Sequence, residues 1–255
     1  MEYSKRILSY VRRAVDDYGM IEDGDRIAVG VSAGKDSLTL LYALSALRKF
    51  YPKKFELCAI TVDMGFAEEF DLSPIARLCE ELDVEYKIIP TEINNIIFNV
   101  RKEPNPCSLC AKMRRGALHR AAKDFGCNKV ALGHHFDDVV ETFMLNLFFE
   151  GRIGCFRPVT YLSRMDVTVI RPMIYMPEKD VRAYASAASL PVTKSLCPAD
   201  GNTQREEMKN LLQELDRTNK GLKYRIFGAI QRGEIDGWKN IGAPDGVKAY
   251  SEEEE

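Results

Sequence analysis

The sequence contains no run of about 20 apolar residues, which is the length that a membrane-spanning helix requires. Residues 1–13 alternate charged and apolar side chains, and they have no apolar core of the kind found in secretory signals. Both absences favour a cytosolic protein. The chain has 255 residues, which suits one large domain with a sizeable core and short extensions.

The composition also gives no indication of a disulfide-stabilised fold. Seven cysteines in a reducing compartment favour metal or thiol chemistry for at least some of them. Four are expected to be buried structural residues, because Cys58 lies in an apolar strand pattern, Cys79 lies on a helical face, and Cys127 and Cys155 follow glycines.

The net charge of −2 gives no general excess of positive charge for binding nucleic acid. The charge is uneven, however. From Arg101 to Lys129 there are eight Lys/Arg residues against Glu103 and Asp124. The acidic tail Glu252–Glu255, expected to be solvated, offsets this local basic excess in the total.

Apolar periodicity predicts five buried strands that alternate with helices. The predicted strands are 26–31, 56–62, 84–89, 129–132 and 167–170. The predicted helices are one in the first 20 residues, then 37–49, 74–82, 107–125, 137–149, 177–189, 204–215 and 222–230, with a polar loop at 91–106. This alternation predicts an α/β fold, a doubly wound parallel sheet of five strands with helices on both faces. Residues 1–20 are expected to add a helix, residues 21–200 to form the core domain, and residues 201–255 to add helices and the tail.

Two common nucleotide-binding loops are missing. There is no Gly-x-Gly-x-x-Gly turn, which disfavours a dinucleotide site. A Walker A loop is excluded as well, because Val29 stands where that motif needs glycine and Asp36 follows the Gly-Lys pair.

A different phosphate-binding loop lies between the first predicted strand and the next helix. Its residues are Ser32, Ala33, Gly34, Lys35, Asp36 and Ser37. At such a junction the backbone N–H groups and the helix N-terminus point at an anion. Gly34 permits a positive φ and close approach of a ligand, Lys35 supplies positive charge, and Asp36 can bind Mg²⁺ or one of its waters. Ser32 and Ser37 are expected to donate hydroxyl hydrogen bonds.

Polar residues also follow the second and fourth predicted strands. Asp63 is expected either to face the nucleotide or to act as a turn residue. Gly133 ends the fourth strand, and two histidines separate it from a helix that Asp137 and Asp138 open. Acidic residues at that place favour the helix dipole, or one of them contacts Mg²⁺ or handles a proton.

Cys107 and Cys110 are three residues apart at a predicted helix start, and Cys197 lies in a later loop. A C-x-x-C pair can bind zinc, bind an iron–sulfur cluster or form a redox disulfide. Two cysteines plus one leave a metal site one protein ligand short. A [4Fe–4S] cluster with three cysteine ligands and one open iron, which can hold a sulfide, fits this number of cysteines. Spacing alone, however, makes a zinc site and an iron–sulfur cluster equally well supported.

The loop resembles S-G-G-K-D-S of the N-type ATP pyrophosphatases, with Ala33 in place of the second glycine. Residues 133–142 resemble the G-H-x-x-D-D-x-x-E-T motif of PP-loop tRNA-modifying enzymes. The resemblance implies a Rossmann-like sheet and a PP-loop ATPase domain over residues 21–200. It also implies cleavage of ATP, with Mg²⁺, between its α- and β-phosphates, and adenylation of a carbonyl oxygen.

Residues 107–116 resemble the C-S-L-C-x-x-x-R-R-G stretch of the tRNA 2-thiocytidine synthetases, and similarity to that family runs from about 18 to 212. The family implies a [4Fe–4S] cluster held by Cys107, Cys110 and Cys197. It implies adenylation of an unpaired tRNA base at C2, followed by sulfur transfer with release of AMP and pyrophosphate. It also implies tRNA, a sulfur donor (a cysteine desulfurase or free sulfide) and a second copy of the chain as partners.

Within this resemblance, Lys35 and either Asp137 or Asp138 are expected to be catalytic. Arg114 and its neighbour Arg115 either contact the tRNA or the adenylate, or simply face solvent. Two alternatives stay open at this point. One is another PP-loop ligase of the lysidine- or GMP-synthetase type, and the other is a zinc-containing tRNA- or nucleotide-binding module without turnover.

Overall fold

A computed structural model describes residues 2–66, 71–102, 106–193 and 203–241. Cys197 and the acidic tail, both singled out above, lie outside these residues. The chain forms two compact units, Met1–His135 with Val159–Asp200 and Phe136–Pro158 with Gly201–Glu255, called here the first and the second unit. Among the described residues, no helix is both long enough and apolar enough to cross a bilayer.

The described residues of the first unit form one sheet of six strands. The strands are β1 Asp25–Gly30, β2 Phe55–Asp63, β3 Glu85–Pro90, β4 Lys129–Ala131, β5 Val159–Leu162 and β6 Val167–Ile170. Their order is β3-β2-β1-β4-β6-β5, and all neighbours are parallel except the antiparallel pair of β5 and β6. The predicted doubly wound α/β fold is therefore confirmed, and the winding direction reverses between β1 and β4.

The prediction of five strands, all parallel, is wrong by one strand. The missed strand, β5, is four residues long and only partly buried along its length, and its Tyr161 is 62% exposed. It forms an edge hairpin with β6, so burial does not require the apolar run that marks the central strands. Such a strand has no periodic signal that a sequence pattern can detect.

Among the described residues of the first unit, five α-helices are present: α1 Glu2–Tyr18, α2 Lys35–Arg48, α3 Ser73–Glu81, α4 Pro106–Asp124 and α6 Glu178–Ala187. On one face of the sheet, Leu118 and Ala122 of α4 pack in the same core cluster as Ala28. Side chains alternate along a strand, so the buried residues Ile27 and Val29 point to the other face. There α2 contacts β1, and α1 and α6 contact α2, so the predicted helices on both faces are confirmed.

The predicted polar loop at 91–106 is also corrected. It contains a π-helix, Asn95–Val100, whose residue Ile97 is fully buried, as is Ile93 one turn earlier. Two apolar residues four apart are enough to anchor one turn against the unit. The asparagines around them gave the segment its loop-like composition.

The described part of the second unit contains α5 Phe136–Phe149, α7 Gln204–Thr218, α8 Leu222–Arg232 and a short 3₁₀ turn, Ile235–Gly237. Its core is aromatic, with ring centroids of Phe136 and Phe227 4.9 Å apart and those of Phe227 and Trp238 5.3 Å apart. The indole N–H of Trp238 donates to the carbonyl oxygen of Phe156 at 3.0 Å, which satisfies the polar atom of this buried ring. The helices predicted after residue 204 are confirmed.

The four cysteines expected to be structural are all buried, as predicted. Cys58 and Cys79 are fully inaccessible, and Cys127 and Cys155 are 4% and 7% exposed. Cys107 and Cys110 differ from them, because Cys107 is exposed and Cys110 is half-buried. The structure therefore separates the C-x-x-C pair from the cysteines that only fill the core.

Candidate functional site

The predicted site residues of the first unit meet at the carboxyl edge of its sheet. The loop 32–37 follows β1, Asp63 ends β2, and Gly133 follows β4. The switch in winding direction lies between β1 and β4, which is where open α/β sheets bind their ligands. The C-terminus of α4 leads into the first residues of β4, so the N-terminus of α4, with its cysteines, lies on the same carboxyl side.

The phosphate loop is held in shape by its own hydroxyl groups. The N–H of Ser32 donates to Oγ of Ser37 at 3.0 Å, and that hydroxyl donates to the carbonyl oxygen of Gly34 at 3.0 Å. Ser37 is buried and Ser32 is exposed. Ser37 thus braces the loop in this structure, and its predicted contact with a ligand stays a prediction.

The positive φ of the loop does not fall at its glycine. Gly34 has an ordinary extended conformation (φ −81°, ψ 155°), and the positive φ, +59°, falls at Ala33 instead. The left-handed region costs a non-glycine residue about 1 kcal/mol, which explains why glycine is the residue of the family motif at this position. The buried Ala33 is held there by its carbonyl oxygen, which accepts the N–H of Thr193 at 3.1 Å.

Lys35 lies between two carboxylates. Its Nζ is 3.1 Å from Asp36 and 3.2 Å from Glu178, the first residue of α6. Burial by itself lowers the pKa of Lys35, but the charges of Asp36 and Glu178 outweigh burial and raise it. Lys35 is therefore cationic at neutral pH.

Glu178 is a site residue that the sequence reasoning did not single out. It is 8% exposed, and Pro177 directly precedes α6 as its N-cap residue. A buried acid is uncommon without a partner, and Lys35 supplies that partner from 143 positions away in the sequence. The available signal was that residue 178 lies within the range of about 18 to 212 over which the chain resembles the 2-thiocytidine synthetases.

One oxygen of Asp36 fits a divalent cation. Oδ1 is shielded from solvent and receives no hydrogen bond from any described residue, although Lys35 Nζ is 3.1 Å away and His135 Nε2 is 3.7 Å away. A carboxylate oxygen of this kind beside a phosphate-binding loop is a suitable Mg²⁺ ligand. The predicted role of Asp36 is compatible with its geometry.

Gly133 packs directly against the start of α2. A Cβ added to Gly133 would lie 3.0 Å from the backbone carbon and oxygen of Asp36 and 3.2 Å from the nitrogen of Ser37. Only glycine allows β4 and the loop to approach this closely. Gly133, predicted as a nucleotide-binding residue, supports the loop from behind.

Asp63 has the turn geometry that was one of its two expected roles. Its Oδ1 accepts the N–H of Gly65 at 3.0 Å, and its carbonyl oxygen accepts the N–H of Thr91 at 3.0 Å. Gly65 has a φ of +70°, and a Cβ there would approach the oxygen of Thr91. The predicted contact of Asp63 with a nucleotide stays a prediction.

The two thiols belong to a stripe of α4 that faces the sheet. Cys107, Arg114 and Leu118 lie within about 40° of one another around the helix axis, with Cys110 beside them. The stripe faces inward, because Leu118 contacts Gly30, the last residue of β1. At 1.5 Å per residue, Cys110 and Cys107 lie about 12 and 16 Å beyond Leu118 along the axis, past the edge of the sheet.

This placement fits a cluster held partly by the helix start. Both thiols are accessible and lie on one side of the first turn, and a helix N-terminus favours an anionic group such as a thiolate-bound cluster. The predicted third ligand, Cys197, is outside the described residues. Within those residues, no three His, Cys, Asp or Glu side chains come together as a metal site.

The two arginines after the cysteines are not equivalent. Nε of Arg115 donates to the carbonyl oxygen of Ala111 at 3.2 Å, one turn back on its own helix. Arg114 is exposed, lies on the inward stripe between Cys110 and Leu118, and makes no hydrogen bond or ion pair with a described residue. Arg114 therefore lies on the same side of α4 as the two thiols, whereas Arg115 is bonded back to its own helix.

In the second unit, Asp137 and Asp138 open α5 and are held by cations. Asp137 is 2.8 Å from Lys223 of α8, and Asp138 is 3.0 Å from Arg205 of α7. Glu141, one turn later, is 3% exposed, and burial together with the charge of Asp138 raises its pKa to about 7. Spacing showed that the acids share a helix start, but it gave no sign of their partners. The catalytic role predicted for Asp137 or Asp138 stays a prediction.

Comparisons with known proteins agree with this arrangement. A family model described as a PP-loop domain matches residues 5–215. The tRNA-cytidine(32) 2-sulfurtransferases of Geobacter sulfurreducens and Ralstonia pickettii are 42% and 41% identical to this chain. Each alignment covers 89% of this chain, with 89% of the first relative and 72% of the second.

Two solved structures place the fold. The U34-tRNA thiolase NcsA from Methanococcus maripaludis, solved with its [4Fe-4S] cluster, superposes with a TM-score of 0.75 and 28% identity over 90% of this chain and 78% of that one. NMN synthetase from Francisella tularensis shares the fold alone, with a TM-score of 0.52 and 16% identity over 96% of this chain and 98% of that one. By its phosphate loop, its sheet and these relatives, the chain belongs to the PP-loop family, in the branch that contains the tRNA-cytidine(32) 2-sulfurtransferases.

Proposed function

We propose that this protein is an ATP-dependent tRNA sulfurtransferase that converts a cytidine of the anticodon loop, at position 32, to 2-thiocytidine. The observation that carries the proposal is that the phosphate loop and the cysteine pair of α4 lie on the same edge of one sheet. A nucleotide on the loop and sulfur chemistry at the thiols would therefore act on one base. The names of the relatives at about 40% identity support the same activity.

The first step is activation of the base by ATP. The oxygen at C2 of the cytosine attacks the α-phosphorus, and pyrophosphate leaves. Lys35 stays protonated and offsets negative charge on the phosphates, while Glu178 fixes the direction of its ammonium group. The N–H groups at the start of α2 point at the phosphates, and Asp36 would hold the Mg²⁺ ion that neutralises them.

The second step exchanges oxygen for sulfur at C2, with departure of AMP. A [4Fe–4S] cluster would be held by Cys107, Cys110 and Cys197, and an iron without a protein ligand would offer a site for sulfide. Arg114 lies on the same stripe as the thiols, where its charge would stabilise the adenylated base. The target base must be unpaired, because C2 is inaccessible inside a duplex.

The remaining assignments complete the proposal. Asp137 or Asp138 would handle a proton or contact Mg²⁺, with orientation fixed by the ion pairs to Lys223 and Arg205. Asp63 would contribute to the nucleotide site from the end of β2. A cysteine desulfurase or free sulfide would supply sulfur, a second copy of the chain would form a homodimer, and the reaction would take place in the cytoplasm.

The test is nucleoside mass spectrometry of tRNA from cells that lack the protein. We expect 2-thiocytidine to disappear and to return when the wild-type chain is supplied. Cys107→Ser is expected not to restore it, whereas Ser108→Ala, the exposed neighbour on the same turn, is expected to restore it fully. Unchanged 2-thiocytidine in the deletion strain would refute the proposed function.

A further inference from the structure

The outward face of α4 carries a line of basic residues that the proposed chemistry does not use. Lys112, Gly116 and Arg120 follow one another at intervals of four residues, and Lys123 continues the line. They lie on the side of the helix opposite Leu118, which faces the sheet. At 1.5 Å per residue, the line is about 16 Å long. We call it the outward stripe.

Among the residues that the structure describes, no acid pairs with the positive charges of the outward stripe. The helix has five Lys/Arg residues and one acid, Asp124, while the whole chain has a net charge of −2. Lys112, Arg120 and Lys123 are exposed and form no ion pair with any residue that the structure describes. On α1, by contrast, the arginines pair with neighbouring acids, as Arg12 does with Asp16 at 3.5 Å.

Gly116 is a second and independent observation. It lies in the middle of a 19-residue helix, where glycine is less favourable than alanine. Apart from the helix backbone itself, no described heavy atom lies within 4 Å of the position that its Cβ would take. No contact inside the described chain therefore requires glycine. A glycine at such a place lets an external group approach the helix backbone closely.

We propose that the outward stripe binds the phosphodiester backbone of the RNA substrate, with Gly116 as the point where the RNA lies directly against the helix. A polyanion with regularly repeated charges matches cations spaced along a line, and phosphate contacts position an RNA without reading its sequence. The inference rests on the proposed function for the identity of the RNA. It assigns two roles to α4. The inward side would carry the thiols and Arg114 for the chemistry, and the outward side would bind the RNA backbone.

The ionic part of the proposal is tested by removing the three charges. The full-length variant Lys112→Gln/Arg120→Gln/Lys123→Gln is titrated with an unmodified tRNA transcript that has a cytidine at position 32, in the absence of ATP. Each lost phosphate contact lowers the salt slope of log K by about 0.7 on single-stranded RNA. We expect a slope smaller by about 2 and, at 0.1 M salt, binding weaker on the order of 100-fold.

A matched control removes three exposed lysines outside α4. The variant Lys49→Gln/Lys54→Gln/Lys220→Gln loses the same charge from the chain, and it is expected to keep most of the affinity and the salt slope. If both triple variants weaken tRNA binding equally, only the net charge of the protein matters and the outward stripe is not a specific RNA-binding surface. Unchanged affinity in the α4 variant overturns the proposal as well.

The glycine part is tested by Gly116→Ala and Gly116→Leu. Both residues are better helix formers than glycine, so the thermal midpoint should stay the same or rise. We nevertheless expect tRNA affinity to fall, about fivefold or more for the leucine variant, with the salt slope unchanged, because the added side chain blocks close approach without removing a charge. Full affinity in both variants would contradict the proposed contact.

These measurements separate this inference from the proposed function. Binding is measured without turnover, so a wild-type chain that binds tRNA through the stripe but forms no 2-thiocytidine refutes the function and leaves the surface in place. A chain that thiolates tRNA normally after loss of the outward stripe, with unchanged affinity, refutes the surface and leaves the function.

Discussion

Replacement of Glu141 by glutamine is expected to stabilise the protein, and to do so only at neutral and alkaline pH. Glu141 is 3% exposed on α5 and has the carboxylates of Asp138 and Asp137 nearby. Glutamine keeps the shape of the side chain and removes its charge. The substitution therefore measures the free-energy cost of a buried negative charge in the second unit.

The magnitude follows from the pKa of Glu141, which is raised from 4.5 to about 7, first by burial and then by Asp138. Because the raised pKa belongs to the folded state, the folded chain holds this proton more tightly than the unfolded chain. The stabilisation by the neutral carboxyl is fully present below about pH 4.5 and is lost as pH rises through 7. A shift of this size corresponds to about 3 kcal/mol at pH 8.

The assay is urea unfolding of the full chain, followed by circular dichroism, at pH 5 and pH 8. We expect Glu141→Gln to exceed the wild type in unfolding free energy by about 3 kcal/mol at pH 8 and by less than about 1 kcal/mol at pH 5. Glu214→Gln, an exposed acid on α7, is the control, and it should change stability by less than about 0.5 kcal/mol at either pH.

The dependence on pH is the decisive observation. A general gain in packing or helix propensity would raise stability equally at both pH values. If Glu141→Gln shows the same change at pH 5 and pH 8, or is less stable than the wild type at pH 8, then Glu141 is not a buried acid with a raised pKa and the reasoning fails.

Two further substitutions test the phosphate loop. Gly133→Ala places a Cβ about 0.5 Å too close to the backbone of Asp36. We therefore expect a loss of about 1–3 kcal/mol in unfolding free energy and a lower rate of pyrophosphate release. A variant with wild-type stability and rate would contradict this packing. Glu178→Gln keeps a hydrogen-bond acceptor for Lys35 but removes the charge that orients it, at a cost of about 1–2 kcal/mol, so kcat/KM for ATP should fall about five- to thirtyfold. Arg182→Gln removes only the exposed partner of Glu178 and should change kcat/KM less than about twofold, and equal losses in the two variants would show that Lys35 is not the residue affected.

The sequence was most informative where local rules dominate. The central strands and their helices follow from apolar periodicity, and all five predicted strands exist within one or two residues at their ends. The loop 32–37 and the C-x-x-C pair are each a short continuous stretch of sequence. The position of each at the start of a helix could therefore be predicted before any tertiary contact was known. Edge strand β5 was missed because a short, half-exposed strand has no such pattern.

The candidate site was less predictable because several of its features depend on contacts between distant residues. The partner of Lys35 comes from α6, and the carbonyl oxygen of Ala33, the residue with the positive φ, accepts a hydrogen bond from the distant Thr193. Residue spacing puts Arg114 on the same side of α4 as the thiols, but it does not show whether that side faces the sheet. The packing of Leu118 on Gly30 decides that by fixing the rotation of α4.

The alternation of strands and helices, the phosphate-binding loop and the C-x-x-C pair can be read from the chain directly, because each depends on residues that are neighbours in sequence. Three other features follow from the packing of distant segments: the side chains around Lys35, the burial of Glu141 and the face of α4 that turns outward. Burial and electrostatic pairing depend on the distances between segments far apart in sequence, and those distances are set only when the helices pack on the completed sheet and on one another.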